Sequence, residues 1–346
     1  MPQRGAGSGA RETPLAVALV GCGGVAAMHL EGYARHPERV RVVAACDVDA
    51  ARAEATAARW GIPATFSSLA AMLGGADWQV AVVCTPTPVR EAVVNELAAA
   101  GRHLFVEKPL ADSLEEARRI VTACERAGVH LAVDQNFRYH YPFDRAREWI
   151  AAGRLGKVFG ISHHDLFFRQ DRGWRTGCAH HALAVMGIHW LDGFRWALSS
   201  EARSVLCRTH ASAAIQCAGE TDAFLQIAFE NQATASYVQS FSSPVARTQT
   251  LVLGEEGMLT LDYQGAALFR REAGREPVET WTNPDAGPNK PESTYRCLAH
   301  LLTSIETGQA PPNSGRDNLR SIALLDGAYR SAAAGRPVVL DDEVPA

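Results

Sequence analysis

The sequence predicts an α/β protein with two domains: a doubly wound parallel sheet, then an α+β domain with an open-faced antiparallel sheet. Three observations predict this fold class. Five short apolar runs alternate with amphipathic segments up to about residue 136, and a glycine-rich turn follows the first run. From about residue 203 to 271, strand-like runs follow one another without helices between them. Strands that alternate with helices form parallel sheets, whereas strands joined directly pair antiparallel.

The first domain is predicted over residues 14–136, after a disordered tail at 1–13 that is rich in Gly, Arg and polar residues. Its strands should be buried on both faces, because the apolar runs are dense in Val, Leu and Ala. These runs are residues 15–20, 40–46, 78–84, 103–107 and 130–134. Helices are expected between them, around residues 25–35, 49–60, 89–100 and 113–127.

The second domain is predicted over residues 137–346, where the rhythm of the sequence changes. A helix is expected at 143–152, a strand at 157–168 and a long amphipathic helix at about 180–197. Further strands, separated by turn signals, are expected near 203–210, 222–229, 233–241, 248–254, 258–263 and 267–271. Two helices, at about 293–307 and 316–333, close the chain.

The composition argues against several classes of function. The 346 residues carry a formal net charge of −4, so the chain lacks the basic surface that nucleic acid or an anionic membrane requires. No apolar stretch approaches the length of a membrane span. The eight cysteines are scattered without a CxxC pair, which is typical of a reducing compartment. We therefore expect a cytoplasmic protein without nucleic-acid or membrane partners.

A dinucleotide site is predicted where the sequence GCGGVA follows the first strand. Gly21 permits a tight turn, Gly23 lets the backbone approach a pyrophosphate, and Ala26 is small enough for close packing of helix on strand. The phosphates are expected at the N-terminus of the following helix, next to Gly24 and Val25, where free N–H groups favour an anion.

The end of the second predicted strand indicates which dinucleotide binds. Asp47 lies 26 residues past Gly21, where its carboxylate can accept hydrogen bonds from both ribose hydroxyls. The same carboxylate repels a 2′-phosphate, and the next residue is Val48 rather than an arginine. NAD is therefore the predicted cofactor, and NADP is less favoured.

Reactive side chains are expected beyond the carboxyl ends of the strands, where open α/β sheets bind their ligands. Thr85 and Pro86 follow the run at 78–84, and Lys108 and Pro109 follow the run at 103–107, which ends at Glu107. A lysine that faces a nicotinamide ring is well placed to move protons. Partial burial beside a cationic ring lowers the pKa of such an amine toward neutrality.

Longer motifs run through nearly the whole chain from Leu15. They are TFSSLAAMLGGADWQVAVVCTP, AAAGRHLFVEKPLADSLEEARRI, QNFRYHYP, GWRTG, GIHWLDGFRWAL, GETDAFLQIAFENQATA, LGEEGMLTLD and YRSAAAGRPVVL. Together they resemble the glucose–fructose oxidoreductase/inositol dehydrogenase/MocA (Gfo/Idh/MocA) family. The resemblance implies a Rossmann domain and an open-faced antiparallel sheet that is often used for oligomer contacts. A homodimer or homotetramer through that sheet is therefore expected.

The resemblance also implies roles for individual residues. Lys108 corresponds to the acid/base at the reacting carbon, and His189 to a histidine that binds the same hydroxyl. Arg138 is expected at the border of the substrate pocket, and Trp174 and Arg175 near both nicotinamide and substrate. Four more positions are expected to line the cofactor: Thr85, Pro86, Glu107 and Gln135.

The sequence departs from the family pattern at one site position. Val185 replaces the aspartate of the DxGxH motif, four residues before His189. On a continuous helix, residues 181, 185 and 189 share one face. His181 is therefore expected to project toward the substrate and take over part of the aspartate's work, since histidine titrates near neutrality. Asp192 is a second candidate partner, and a space-filling His181 is the alternative.

The predicted function is hydride transfer between NAD and a secondary alcohol or ketone of a sugar, cyclitol or glycoside. Two alternatives stay open: a relative that uses tightly bound NAD transiently for elimination or glycoside cleavage, and a non-catalytic NAD-binding regulator. No metal is predicted. The one metal alternative, through Cys178, His180 and His189, matches no standard zinc spacing.

Overall fold

A computed structural model describes residues 13–140, 143–285, 287 and 289–340. The predicted disordered tail lies outside these residues except for Thr13. The first part of the chain forms a six-stranded, all-parallel sheet in the order β3-β2-β1-β4-β5-β6. Its strands are β1 (Leu15–Val20), β2 (Val40–Cys46), β3 (Ala64–Phe66), β4 (Val80–Val83), β5 (His103–Val106) and β6 (Leu131–Val133).

Helices connect these strands and create a crevice. They are α1 (Ala26–Ala34), α2 (Ala50–Trp60), α3 (Leu69–Gly75), α4 (Thr87–Ala99) and α5 (Leu114–Arg126). The order of the strands reverses between β1 and β4, and a doubly wound sheet opens its crevice at such a point. Side chains of Asp49, Ser68 and Ser113 cap α2, α3 and α5. No side chain caps α1, which begins at the crevice.

The second part of the chain forms a nine-stranded sheet in the order β14-β13-β12-β11-β7-β10-β9-β8-β15. Its strands are β7 (Val158–Phe168), β8 (Ala202–His210), β9 (Asp222–Phe229), β10 (Thr234–Ser240), β11 (Ser242–Gly254), β12 (Gly257–Leu261), β13 (Gly265–Arg270), β14 (Pro277–Thr282) and β15 (Val338–Val339). Its helices are α6 (Phe143–Ala151), α7 (Ile188–Leu198), α8 (Lys290–Thr307) and α9 (Gly315–Ala334).

This sheet confirms the predicted antiparallel sheet in general form, with one parallel pair. Strands β7 and β10 run parallel, and the other pairs are antiparallel. The reason is that β7 does not pair with β8, the next strand along the chain. A crossover that contains α7 separates them, so β7 takes a central place between β11 and β10.

The C-terminal helices return to the first half of the molecule. Helix α8 packs on α1 and β6, where Tyr295 stacks on His36 with ring centroids 3.5 Å apart. Helix α9 packs on α5 and on β8. Both helices therefore contact both halves, and the predicted division between residues 136 and 137 stays a prediction. In the described ranges, no helix is both long and apolar enough to cross a membrane.

Candidate active site

A cavity of about 750 Å³ lies at the carboxyl ends of the parallel strands. Its first wall is made by the glycine turn, by the end of β2, and by the segments that follow β4 and β5. The opposite wall comes from the second half of the chain and includes Trp174, Arg175, Cys178, His180 and Val185. Most of the predicted cofactor residues thus line one cavity with Trp174 and Arg175 opposite them. Its lining residues do not include four other predicted site residues: Gln135, Arg138, His181 and His189.

The glycine turn has the geometry of an anion cradle. Gly21 has a φ of +92°, and a β-carbon there would lie 2.9 Å from the carbonyl carbon of Cys84. A β-carbon at Gly23 or Gly24 would meet no atom within 4 Å, so both face open space. Helix α1 starts beside them at Ala26, and its N-cap residue Val25 provides no side-chain hydrogen bond to the helix. Its free N–H groups are suited to a diphosphate.

Asp47 supports this turn as well as lining the cavity. Its Oδ2 accepts the Cys22 N–H at 2.8 Å, and its Oδ1 accepts the Asp49 N–H at 2.9 Å. The guanidinium of half-exposed Arg52 lies 3.5 Å from Oδ1. A carboxylate accepts more bonds than these, so the ribose hydroxyls still have lone pairs available. The sequence predicts the ribose role and gives no sign of the link to Cys22.

Several buried polar atoms of the predicted cofactor residues lack a hydrogen-bond partner. The Thr85 hydroxyl and both amide atoms of Gln135 have no hydrogen-bond partner among the described residues. Pro86 lines the cavity and precedes α4. Glu107 also lines it, and its carboxylate lies 2.8 Å from His29 Nε2. Buried polar groups normally find partners, so the free Thr85 hydroxyl, which lines the cavity, fits a bound dinucleotide.

The side chain of Lys108 lines the cavity and contacts the backbone of the opposite wall. Its Nζ donates a hydrogen bond to the Val185 carbonyl oxygen at 2.7 Å. Burial lowers the pKa of Lys108 to about 8, with the nearby cations Arg175, Arg169 and Lys290 acting in the same direction and Glu107 opposing them. Such an amine exchanges a proton near neutral pH.

His189, on α7, is a neutral and buried imidazole. Its ring stacks on Phe137 with centroids 3.9 Å apart, and its Nδ1 has no partner in the described part of the chain. Burial holds the pKa of His189 well below its usual range, and the charge of Lys108 adds to this effect. His189 is therefore suited to orienting an oxygen by a hydrogen bond rather than to carrying a charge.

The helix argument for His181 is wrong in its premise. His181 precedes a π-helical turn, Leu183–Gly187, and α7 begins only at Ile188. Residues 181, 185 and 189 therefore do not lie on one continuous α-helix. The His181 ring is fully buried, with Nε2 3.0 Å from Asp171 Oδ2. Its catalytic role stays a prediction, and its observed partner is Asp171.

Arg138 and Asp192 form a buried ion pair. Arg138 is 2% exposed, and its Nε and Nη2 each lie 2.6 Å from an Asp192 oxygen. The same guanidinium also bonds Asp317 and the Pro312 carbonyl oxygen. Both Arg138 and Asp192 are thus engaged inside the protein, and the predicted substrate contact of Arg138 stays untested.

The predicted pair Trp174 and Arg175 lies at the mouth of the cavity. Trp174 is 49% exposed, and the Arg175 guanidinium carbon lies 5.2 Å from the Trp174 ring centroid. Both residues belong to a short 3₁₀ turn, Gly173–Gly177. The sequence gives no sign that Arg169 and Lys290 lie near Lys108, because Arg169 follows β7 and Lys290 begins α8, both far along the chain from residue 108.

Possible metal ligands meet at one place in the described ranges. His29, Glu107 and Asp134 bring ligand atoms within 4.8 Å of one another, all buried. These groups already contact each other, with His29 Nε2 2.8 Å from Glu107 and 3.7 Å from Asp134. Cys178, His180 and His189 do not form such a group among the residues described.

Comparisons with known proteins identify both halves of the chain. A model of the oxidoreductase family with an NAD-binding Rossmann fold matches residues 15–135, and one of the GFO/IDH/MocA C-terminal domain matches residues 143–260. The D-apiose dehydrogenase of Paraburkholderia graminis is 31% identical, over 95% of this chain and 91% of that protein. The inositol 2-dehydrogenase of Rhizobium meliloti is 28% identical, over 92% of this chain and 97% of that protein.

Solved structures share the fold over almost their full length. An oxidoreductase from Agrobacterium radiobacter, solved with NAD+, L-tartaric acid and magnesium, has a TM-score of 0.86 at 24% identity and covers 95% of this chain and 99% of its own. A levoglucosan dehydrogenase with NADH and L-sorbose has a TM-score of 0.85 at 19% identity, with coverage of 95% and 99%.

Proposed function

This chain belongs to the Gfo/Idh/MocA family of oxidoreductases, and from that premise we propose that it transfers a hydride between NAD and a secondary alcohol or ketone of a sugar, cyclitol or glycoside. Its first domain is an NAD-binding Rossmann domain, and its relatives are dehydrogenases and reductases that act on CH–OH groups. The observation that carries the proposal is the half-buried Lys108 side chain, which lines the same cavity as the glycine turn.

The residues divide the work between holding the cofactor and moving a proton. Bound NAD supplies the hydride acceptor or donor. The neutral Lys108 amine takes the hydroxyl proton during oxidation and returns it during reduction. The His189 imidazole orients the substrate oxygen. Trp174 and Arg175 cover the mouth of the cavity and limit the access of water.

The other functions weighed from the sequence are less well supported. Relatives with dehydrogenase activity argue against a non-catalytic regulator, because Lys108 and the glycine turn are both intact. No feature of the described residues specifically favours transient use of NAD in elimination or glycoside cleavage. Net hydride transfer between NAD and a sugar, cyclitol or glycoside is therefore the function that we propose.

Assembly through the nine-stranded sheet belongs to the same proposal. One face of the sheet packs on helices, whereas the other carries exposed aromatic side chains. Phe168 is 58% exposed and Phe224 is 54% exposed. Both lie on the same face of the sheet. Phe224 pairs with Val238, which pairs with His164 in β7, and Phe168 lies four residues after His164 on that strand, so it points to the same side. A homodimer or homotetramer formed through this face would cover them.

The first test replaces the amine and follows the reduced nicotinamide by its absorbance. D-apiose, inositols, other sugars and their keto forms are screened with NAD and with NADP. On the best substrate, Lys108→Met should lower kcat by roughly 10² to 10⁴-fold, because the proton no longer has a base. The affinity for NADH, measured by fluorescence titration, should stay within about twofold.

The pH profile and a control variant complete this test. Oxidation by the native enzyme should accelerate as the pH rises through about 8, where Lys108 becomes neutral, and reduction should slow over the same range. Lys157→Met removes an exposed amine that contacts Gln232 and should leave kcat unchanged. Normal turnover in Lys108→Met would show that this lysine is not the acid/base.

A further inference from the structure

The start of the π-helical turn is held by two side chains from distant parts of the sequence. Glu220 accepts three successive N–H groups: His181 at 2.9 Å and Leu183 at 2.8 Å through its carboxylate, and Ala182 at 3.0 Å through its backbone oxygen. The Tyr329 hydroxyl accepts the fourth, from Ala184, at 3.1 Å.

The two side chains also hold each other. The Tyr329 hydroxyl donates to Glu220 Oε1 at 2.8 Å, and the Tyr329 ring stacks on His180 with centroids 3.7 Å apart. Glu220 is 8% exposed, so its bonds are largely sheltered from water. The backbone donors that a helix start leaves open are thereby satisfied by one carboxylate and one phenol.

The next residue of this turn is the one that touches the reactive amine. Val185 follows Ala184 directly, and its carbonyl oxygen accepts the Lys108 Nζ bond at 2.7 Å. The contacts therefore run without interruption from Glu220 and Tyr329, through the backbone of residues 181–184, to Lys108. Single π-helical turns occur frequently at functional sites.

We propose that Glu220 and Tyr329 are positioning residues for Lys108, and that they fix the π-helical turn so that the Val185 carbonyl oxygen holds the amine. The proposal rests on the proton-transfer role given to Lys108 above. It also answers what replaces the missing aspartate at position 185: a backbone carbonyl does so, and neither the imidazole of His181 nor the carboxylate of Asp192 is needed.

An uncharged acceptor has a chemical consequence for the amine. A carbonyl oxygen orients the ammonium and favours it modestly, whereas a carboxylate at the same place would favour it strongly and raise its pKa. The other charged and titratable groups that face Lys108 come from four elements. They are Glu107 after β5, Arg169 and Arg175 after β7, His189 on α7 and Lys290 at the start of α8.

Glu107 is the acid among these groups, and it already contacts His29. Loss of the bond between the Val185 carbonyl oxygen and the amine should therefore change the pKa of Lys108 measurably. When the turn is loosened, the ammonium form loses a hydrogen bond and the pKa of Lys108 falls. When an aspartate is placed at position 185, the ammonium form gains an anion and the pKa rises.

The chain is well suited to a direct measurement, because it has three lysines: Lys108, Lys157 and Lys290. Reductive methylation of the full chain with ¹³C-formaldehyde gives few methyl signals, and Lys108→Met and Lys290→Met assign them. Each signal is titrated by NMR, with and without NAD. In the native chain, the Lys108 signal should titrate near pH 8.

Three variants and one control then test the proposal. Glu220→Gln and Tyr329→Phe should each lower the pKa of Lys108 by about half a unit to one unit. Val185→Asp should raise it by about one unit or more. The control is Glu201→Gln. It removes a carboxylate that binds Arg195 and Arg320 in the second half of the chain, and it should leave the pKa of Lys108 unchanged.

The outcomes are distinct from those of the proposed function, because methyl signals titrate whether or not a substrate is known. An unchanged pKa in folded Glu220→Gln and Tyr329→Phe proteins would overturn the positioning role. If neither variant folds, Val185→Asp decides: the absence of a rise would show that the amine does not lie beside residue 185, and the proposed carbonyl contact would be overturned. With a substrate in hand, the pH profile of kcat should shift by the same amount as the NMR pKa.

Discussion

The two ends of the cavity are built by different means. The cofactor end, around the glycine turn and Asp47, offers backbone N–H groups and one carboxylate to a dinucleotide, and the ends of neighbouring parallel strands position them. At the substrate end, the groups around Lys108 come from segments after β5 and β7, from α7 and from α8. The first end depends on a local backbone shape, and the second depends on how distant segments pack. Mutations should therefore act differently at the two ends.

The largest expected effect concerns Arg138, which the sequence predicts at the border of the substrate pocket. In Arg138→Met, buried Asp192 loses both of its short guanidinium bonds and keeps the longer contact with Arg195 at 3.4 Å, which should lower the free energy of unfolding by about 3–5 kcal/mol. Urea unfolding followed by circular dichroism measures this. Arg316→Met, which breaks an exposed pair with Glu125, should cost less than about 1 kcal/mol. Native-like stability with a raised KM would instead favour the substrate contact expected for Arg138.

A smaller effect should separate two glycines of the cofactor end. Gly21→Ala forces a side chain into a left-handed conformation 2.9 Å from the Cys84 carbonyl carbon, and should cost about 1–3 kcal/mol of stability. Gly23→Ala meets no atom within 4 Å, so thermal unfolding should be unchanged. Its methyl group faces the expected diphosphate, and NADH affinity should fall about tenfold, or about 1.4 kcal/mol. Equal effects of Gly21→Ala and Gly23→Ala on unfolding would contradict the assignment of a structural role to Gly21 and a binding role to Gly23.

The smallest effect concerns the choice between NAD and NADP. Asp47→Ser removes the charge that repels a 2′-phosphate and should shift the ratio of kcat/KM toward NADP by roughly tenfold. The neighbouring Asp49 caps α2, and Asp49→Ser keeps a capping oxygen. That control should leave the ratio unchanged. A ratio unaffected by Asp47→Ser would mean that another group, such as Arg52, sets the preference.

Regular, well-buried elements could be predicted from the sequence almost residue by residue. Strands β1 and β2 match their predicted ranges, because apolar runs with clear boundaries identify central strands. Short elements were missed: β3 has three residues and β15 has two, too few to show periodicity. Helix α3 and strand β14 were also not predicted, since the first spans seven residues and the second is largely exposed.

The candidate site was predictable where it depends on local motifs. The glycine turn, Asp47 and Lys108 line one cavity, as those motifs indicate. His181 shows the limit, because a helical-face argument assumes one uninterrupted α-helix, and the π-helical turn breaks that phase. The Glu220–Tyr329 contact joins residues more than a hundred positions apart, and no spacing rule reveals such a pair.

Because no side chain caps the start of α1, a bound cofactor should stabilise the folded protein. In the neighbouring helices α2, α3 and α5, an N-cap side chain accepts a backbone N–H of the first turn. In α1 no side chain does so, and a bound diphosphate can accept these N–H groups instead. Binding and folding are then linked by mass action, and a dinucleotide present at about a hundred times its Kd adds about 2.7 kcal/mol to stability. A cell rich in NAD would thus hold a more heat-resistant and protease-resistant enzyme than a starved one.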